Sequence, residues 1–278
     1  MNTQTNPLVS VIIPVYNGER FISESIQSIL NQSYTNFEVL VLDNGSTDKT
    51  QDILANFARL DNRIRIILES KPLGYGGEVA SNVAARQANG LFIAKLDADD
   101  VATPDRLAKQ VTFLLAHPDI FMVGSQLTLI DEAGNVTGSR AYPTDHDAIY
   151  NEFYLRFPMA NPAVMYRNIL QDDLYQIRFP HFNDYYSLFL LIRNGYRMHN
   201  LPEPLTAYRI HTANTVFTNL RAKWRSNMAI KESFVREFGY KASKTHQIKL
   251  VMITWAINLL PERFLTSIMN QARQVLKA

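Results

Sequence analysis

Apolar positions along this chain fall into short runs rich in β-branched residues, separated by stretches in which they recur every three or four residues. The first run, Val9-Ser-Val-Ile-Ile-Pro-Val15, precedes Asn17-Gly18 and then Phe21, Ile22, Ile26, Ile29 and Leu30 at helical spacing, which reads as strand, loop and helix. The rhythm repeats: residues 37–42 are strand-like, 47–60 helical, 64–68 strand-like, 77–88 helical and 91–96 strand-like again. Strands alternating with helices imply an α/β fold with a mainly parallel sheet covered on both faces. Ligands of such sheets bind beyond the carboxyl ends of the strands, and Tyr16, Asp43, Asp97, Asp99 and Asp100 all fall there.

A helix is expected over residues 104–116, then two strands, 121–130 and 136–141, around the turn Glu132-Ala-Gly-Asn135. Residues 142–183 hold prolines and aromatics in irregular order, which suits loops that shape a pocket. A helix over 184–193 stops at Asn194-Gly195. Residues 196–209 are extended and interrupted by Pro202 and Pro204, and the tail reads as helices over about 220–238, 245–260 and 261–276.

The chain has 278 residues, 46% of them hydrophobic, enough for one large domain or a domain with an appendage. The absence of cysteine removes disulfides and thiolate metal sites, which suits a reducing compartment. No basic-plus-apolar leader precedes the first strand and no apolar run reaches the roughly 18 to 20 residues that span a bilayer, so a cytoplasmic protein is expected. Charge is uneven. Residues 1–216 carry 17 Lys and Arg against 23 Asp and Glu, a net of −6, and residues 217–278 carry 11 against 3, a net of +8. Such a tail attracts an anionic membrane surface or an acidic partner, or consists of ordinary solvated helix faces.

The chemistry concentrates in Leu96-Asp-Ala-Asp-Asp100. Carboxylates this close repel unless a cation or donors neutralise them, and oxygen ligands of this kind suit Mg²⁺ or Mn²⁺ carrying phosphates. The alternative is that Asp99 or Asp100 caps the helix that Pro104 opens.

Together, Val9-Ser-Val-Ile-Ile-Pro-Val-Tyr-Asn17, Leu42-Asp-Asn-Gly-Ser-Thr-Asp48, Leu96-Asp-Ala-Asp-Asp100, Asn183-Asp184 and Tyr208-Arg-Ile-His211 carry a likeness, in order and spacing, over roughly residues 8–215. The chain resembles the inverting glycosyltransferases of family 2, which have the GT-A fold. The resemblance implies that Tyr16 stacks on a pyrimidine, that Asp43 accepts its ring N–H, and that Pro14 lies among the donor contacts. Asp97 would face the ribose, with Ala98 beside the nucleotide, and Asp99 would bind the divalent ion across the diphosphate. Asp100 is left between the donor sugar and a helix cap. Gly76, in Gly74-Tyr-Gly-Gly77, and Asn82 would lie near the nucleotide. Asp184 would be the catalytic base, with a helix N-cap as the other reading. His211 would reach the metal or the diphosphate.

The departures are Asn44 for the second Asp of Asp-Asp-Gly-Ser, Ser81 for an Arg before Asn82, Asn183 for Glu, and Asn161 for a His before Pro162 on the acceptor side. The resemblance implies a GT-A catalytic domain over residues 1–216, its nucleotide half about 1–100 and its acceptor half about 101–216, followed by a helical extension over 217–278. It further implies transfer of a sugar from a nucleoside diphosphate sugar, most naturally UDP-linked, to a hydroxyl of a glycan or lipid-linked glycan in surface polysaccharide assembly. Mn²⁺ or Mg²⁺ would be the cofactor, and no nucleic acid a partner.

A dehydrogenase or nucleotidyltransferase fits poorly, because Pro14-Val-Tyr-Asn-Gly-Glu19 holds one glycine and no G-x-G-x-x-G cradle. A non-catalytic sugar-nucleotide-binding or scaffold protein of the same fold is disfavoured by Asp99, Asp184 and His211 occurring together. In the tail, Ile248, Leu250, Val251, Met252, Ile253, Trp255, Ile257, Leu259 and Leu260 make an apolar segment flanked by Lys241, Lys244, Arg263 and Arg273. It is too short to span a bilayer; peripheral contact with the inner face of the cell membrane, a homodimer through residues 241–278, or burial against the catalytic domain each accounts for its apolar face.

Overall fold

The computed structural model describes residues 6–211 and 219–259. The alternating half of the chain forms β1 (Val9–Val15), α1 (Ile22–Leu30), β2 (Phe37–Asn44), α2 (Thr50–Leu60), β3 (Ile64–Glu69), α3 (Glu78–Ala85) and β4 (Phe92–Lys95). β1 is buried along almost its whole length, as its unbroken apolar run requires of a central parallel strand. It pairs in parallel with β2, Val15 opposite Asp43, and with β4, Ile12 opposite Lys95. This register delivers Tyr16, Asp43 and the acidic turn after β4 to one edge of the sheet. The helix expected from residue 47 starts at Thr50, because Asp48 accepts the Thr50 N–H (3.0 Å) and fixes the preceding turn.

The second half contains β5 (Val101–Ala102), α4 (Arg106–Ala116), β6 (Ile120–Ile130), β7 (Val136–Arg140), α5 (His146–Glu152), β8 (Met165–Arg167), α6 (Asn183–Arg193), β9 (Arg197–Arg209), α7 (Leu220–Arg236) and α8 (Lys244–Leu259). Among the described residues the strands form one sheet in the order β3-β2-β1-β4-β8-β6-β9-β5, with β7 on β6. β8 lies antiparallel to both β4 and β6. Its three residues have no periodicity to read, and it falls in the stretch that the sequence gives only as loops. β9 runs through Pro202 and Pro204, which cannot donate to the ladder. Register shifts opposite them absorb the mismatch, and the Gln126 amide donates to Leu201 O (2.9 Å) there.

One face of the sheet packs α1 and α4, with Ile22, Ile26, Leu107 and Val111 in its core. The other packs α3, α5, α6 and α7. α7 is built into this second core: Phe234 stacks on Phe189 of α6 at 3.7 Å between centroids, and the Tyr240 hydroxyl donates to Tyr150 O (3.0 Å). The expected junction at residues 216 and 217 lies outside the described residues. Among those described, no helix is long and apolar enough to cross a membrane.

α7 also buries Lys231, whose ammonium donates to the Tyr185 hydroxyl (3.1 Å) and lies 4.7 Å from that ring's centroid. Burial pushes its pKa down to about 7. The folded state therefore carries a desolvation penalty that is complete below pH 7 and is relieved as pH rises toward the ordinary lysine value. Lys231→Met, which keeps the stem, is expected to raise the melting temperature by about 3 °C or more at pH 7. The gain should shrink toward pH 10, as scanning calorimetry at the two pH values would show.

Candidate active site

The acidic turn after β4 is braced from behind. Asp100 is fully buried and accepts the Arg209 backbone N–H (2.9 Å), while the Arg209 side chain donates from Nε to Asp99 O (2.9 Å) and from Nη2 to Glu24 (2.5 Å). The same guanidinium donates to the carbonyls of Asp131 and Glu132 and lies over the Phe21 ring, 4.7 Å from its centroid. Burial, reinforced by Asp99 and Asp97, pushes the Asp100 carboxyl well up. The cap position of α4 belongs to Asp105, so Asp100 is not a helix cap, and its carboxyl is fully buried. Read from the sequence, Arg209 has no role beyond its proximity to His211.

Asp99 is half-exposed, and its Oδ2 meets His211 Nε2 at 2.8 Å. A carboxylate and an imidazole brought together from turns 112 residues apart suit a hard divalent ion. Among the described residues no three His, Asp or Glu side chains converge on one metal position. A Mn²⁺ or Mg²⁺ ion at Asp99 and His211 would take its remaining ligands from water and substrate phosphate oxygens.

The end expected to hold the nucleotide begins at Tyr16, 52% exposed at the tip of β1. Asp43 is buried level with it, accepting Ser46 N–H (3.2 Å) and the Gln51 amide (2.7 Å). A carboxylate has about four acceptor sites, so capacity for one further donor remains. Asn44 Oδ1 accepts the Leu73 N–H (2.8 Å) and ties β2 to the glycine-rich loop, a bond that an Asp would accept equally. Gly45 (φ +77°) is required, since a Cβ there would lie 2.7 Å from the Lys71 backbone. Pro14 and Ala98 keep partial exposure on the same edge. Gly76 takes φ +60° in a 3₁₀ turn leading into α3. Asn82 is buried, its amide donating to Tyr175 O (2.8 Å) and accepting Tyr175 N–H (3.0 Å). Both functions of its side chain thus hold residue 175, and not an open face of the site. Ser81 is also buried and donates to Gly77 O (2.9 Å) within the helix.

At the other end, Phe182 takes φ +63° immediately before α6. Asn183 is buried, accepting from Arg178 N (2.9 Å) and Phe179 N (2.8 Å) while donating to Phe179 O (2.9 Å). A glutamate could not make the donating bond, which accounts for the amide. Asp184 is the second residue of α6, not its N-cap, and accepts Tyr185 N–H (2.8 Å). Burial pushes its carboxyl up to about 6, opposed by that bond and by Lys95 and supported by Asp97. Asn161 accepts the Tyr175 hydroxyl (2.7 Å), so Asn161, Tyr175 and Asn82 link the two ends of the site.

Two further side chains escaped the sequence reading. Lys95, 4% exposed at the end of β4, donates to Asp97. Glu78, 8% exposed at the start of α3, is pushed up to about 7 by burial and then by the nearby Asp184 carboxylate. The available signal for Lys95 was a charge inside an apolar strand; for Glu78 there was none beyond its place after two glycines.

The family model described as Glycosyl transferase family 2 matches residues 10–183, ending one residue before Asp184. The O-antigen biosynthesis glycosyltransferase WbnJ of Escherichia coli is 34% identical over 222 residues, covering 77% of this chain and 84% of that protein. Among solved structures, S. aureus TarS 1–349 in complex with UDP-GlcNAc superposes with a TM-score of 0.62 at 19% identity, over 87% of this chain and 70% of that one. The mannosyltransferase PcManGT from Pyrobaculum calidifontis, in complex with GDP-Man and Mn²⁺, gives 0.57 at 16% identity, over 99% and 87%.

Proposed function

Since the chain belongs to glycosyl transferase family 2 and is thereby a glycosyltransferase, we propose that it moves a sugar, with inversion, from a UDP-sugar to a hydroxyl of a glycan or lipid-linked glycan. Surface polysaccharide assembly is the proposed setting, as in the O-antigen role that names WbnJ. The observation that carries this reading is the arrangement along one sheet edge. A cation-ready Asp99 and His211 pair stands at one end, a carboxylate with a raised pKa at the other, and an exposed aromatic beyond the first strand.

The uracil ring stacks on Tyr16 and its N–H reaches the free acceptor capacity of Asp43. Asp97, fixed by Lys95, faces the ribose. Asp99 and His211 would hold Mn²⁺ or Mg²⁺, which when bound supplies Lewis-acid stabilisation of the leaving diphosphate. Asp184 accepts the proton of the acceptor hydroxyl. That oxygen bonds to the anomeric carbon from the face opposite the diphosphate, while the bond from that carbon to the diphosphate oxygen breaks and its electron pair leaves with UDP. A carboxylate whose pKa lies near 6 is ionised at neutral pH and basic enough to take the proton. A thermal-shift panel of UDP- and GDP-sugars, with and without Mn²⁺, tests the donor assignment. UDP-sugars with Mn²⁺ should give the largest rise, and a panel in which only GDP-sugars act would overturn the choice of UDP.

The tail is assigned to an anionic membrane surface. α8 turns Leu250 inward, leaves Ile253 exposed on another side, and exposes Ile248, Val251, Met252, Trp255 and Leu259 together. At about 100° per residue these five make a single stripe, with the exposed Lys244 at its start and Lys249 on its flank. Leu260, Arg263 and Arg273 lie outside the described residues. Full-length protein should float with anionic but not neutral vesicles at low salt, and a chain ending near residue 240 should not. Failure to float, with a dimer on sedimentation, would make the stripe a subunit contact.

A further inference from the structure

Two charged groups between the nucleotide end and the base are incompletely matched. Glu78 Oε2 is buried without a hydrogen-bond partner, in a residue more than nine-tenths buried. The carboxyl lies close enough to Asp184 and Lys95 to feel both charges. The Lys95 ammonium has three N–H donors and gives one to Asp97, its single hydrogen-bond partner among the described residues. Burying an acceptor and two donors unmatched is costly, and native structures rarely do so without a ligand or water to complete the set.

Their placement narrows the ligand. Lys95 stands two residues before Asp97 on β4, and Glu78 opens α3 directly after the glycine-rich turn. A Cβ on Gly76 would come within 3.2 Å of Glu78 Oε2, so a side chain at residue 76 would press on this carboxylate. A carboxylate that accepts beside an ammonium that donates is complementary to a sugar hydroxyl, which does both, or to two adjacent hydroxyls.

We propose that Glu78 and Lys95 form a subsite for the hydroxyls of the donor hexose, between the ribose contact at Asp97 and the base Asp184. This rests on the assignment of the protein as a nucleotide-sugar transferase and adds the part of the site that reads the sugar. Glu78 is here a specificity residue: it touches the sugar, not the uracil, the ribose or the diphosphate. The subsite favours a hexose with free ring hydroxyls over the same sugar deoxygenated at the contact.

Calorimetric titration of the full-length parent and Glu78→Gln, with UDP and with UDP-glucose, UDP-galactose and UDP-N-acetylglucosamine in Mn²⁺, tests this directly. Glu78→Gln is close to isosteric and removes a buried charge, so its melting temperature at pH 8 should not fall. Its UDP affinity should stay within about threefold of the parent, while its affinity for the preferred UDP-sugar falls about tenfold or more. The 3-deoxy and 4-deoxy forms of that UDP-sugar supply the second arm. At least one should bind the parent about tenfold more weakly and lose little further in Glu78→Gln, because the same contact has been removed from the other side. Parallel changes for UDP and UDP-sugar, or no change in either, overturn the subsite. A parent that binds UDP but no UDP-sugar also overturns it and leaves nucleotide binding standing, whereas a parent that binds no nucleoside diphosphate at all removes the transferase assignment itself.

Discussion

Asp184→Asn should lower sugar transfer by about 10²-fold or more while UDP affinity stays near that of the parent. The substitution preserves shape and the Tyr185 N–H contact but cannot accept the acceptor proton. The pH profile supplies a second reading. Asp184 and Glu78 are pushed up to about 6 and about 7, and because each acts on the other these belong to the pair. Transfer by the parent should therefore rise across about pH 6–7 and level off above. For stability the sign runs the other way. A carboxyl whose pKa is higher folded than unfolded contributes stability below the unfolded value, near pH 4, and loses it as pH rises through 6 and 7. Asp184→Asn and Glu78→Gln should thus each melt a few degrees above the parent at pH 8, and no higher at pH 4. Initial rates of UDP release from pH 5 to 9, with melting curves at the two ends, check both effects. Near-parental turnover in Asp184→Asn would place the base elsewhere.

Asp99→Asn should abolish most of the tightening of UDP binding by Mn²⁺, a loss of about tenfold or more in metal-dependent affinity. The side chain projects from the braced turn, and its principal contact is His211. The brace itself uses Asp100, the Asp99 carbonyl and Arg209, all retained in the variant, so the fold should survive. Without metal, parent and variant should bind UDP equally. Calorimetry with UDP, with and without Mn²⁺, separates the outcomes: equal tightening in both proteins would remove Asp99 from the metal site.

The parallel half of the fold was legible because its information is local. β1, β2 and β4 are apolar runs of the right length, and each ends in polar residues that the register then aligns. β8 was not legible: three residues have no period, and their pairing between β4 and β6 is decided by the strands around them. The same distinction separates the site residues. Asp99 and Asp184 sit in motifs that can be read in sequence, and the structure sets Asp99 against His211. Arg209 acquires its role only when three chain segments, at Glu24, Asp99 and Asp131–Glu132, converge on one guanidinium. Glu78 and Lys95 matter through burial, which a charge in a sequence does not announce. Asn82 shows the reverse, a motif residue whose side chain the fold turns to Tyr175. Within the tail, helical spacing anticipated an apolar face on α8, but only packing shows that Leu250 points inward and that Trp255 and its neighbours do not.

The most direct test of the central claim is a transfer reaction read for both products. The protein is incubated with Mn²⁺, an α-linked UDP-sugar from the thermal-shift panel and a polyisoprenyl-diphosphate-linked sugar as acceptor. UDP is then quantified, and the new anomeric linkage is assigned by NMR. One UDP released for each β-linked sugar formed, dependent on both Mn²⁺ and Asp184, is the predicted result. An α-linked product, or UDP release undiminished in Asp184→Asn, would contradict inverting transfer by this site.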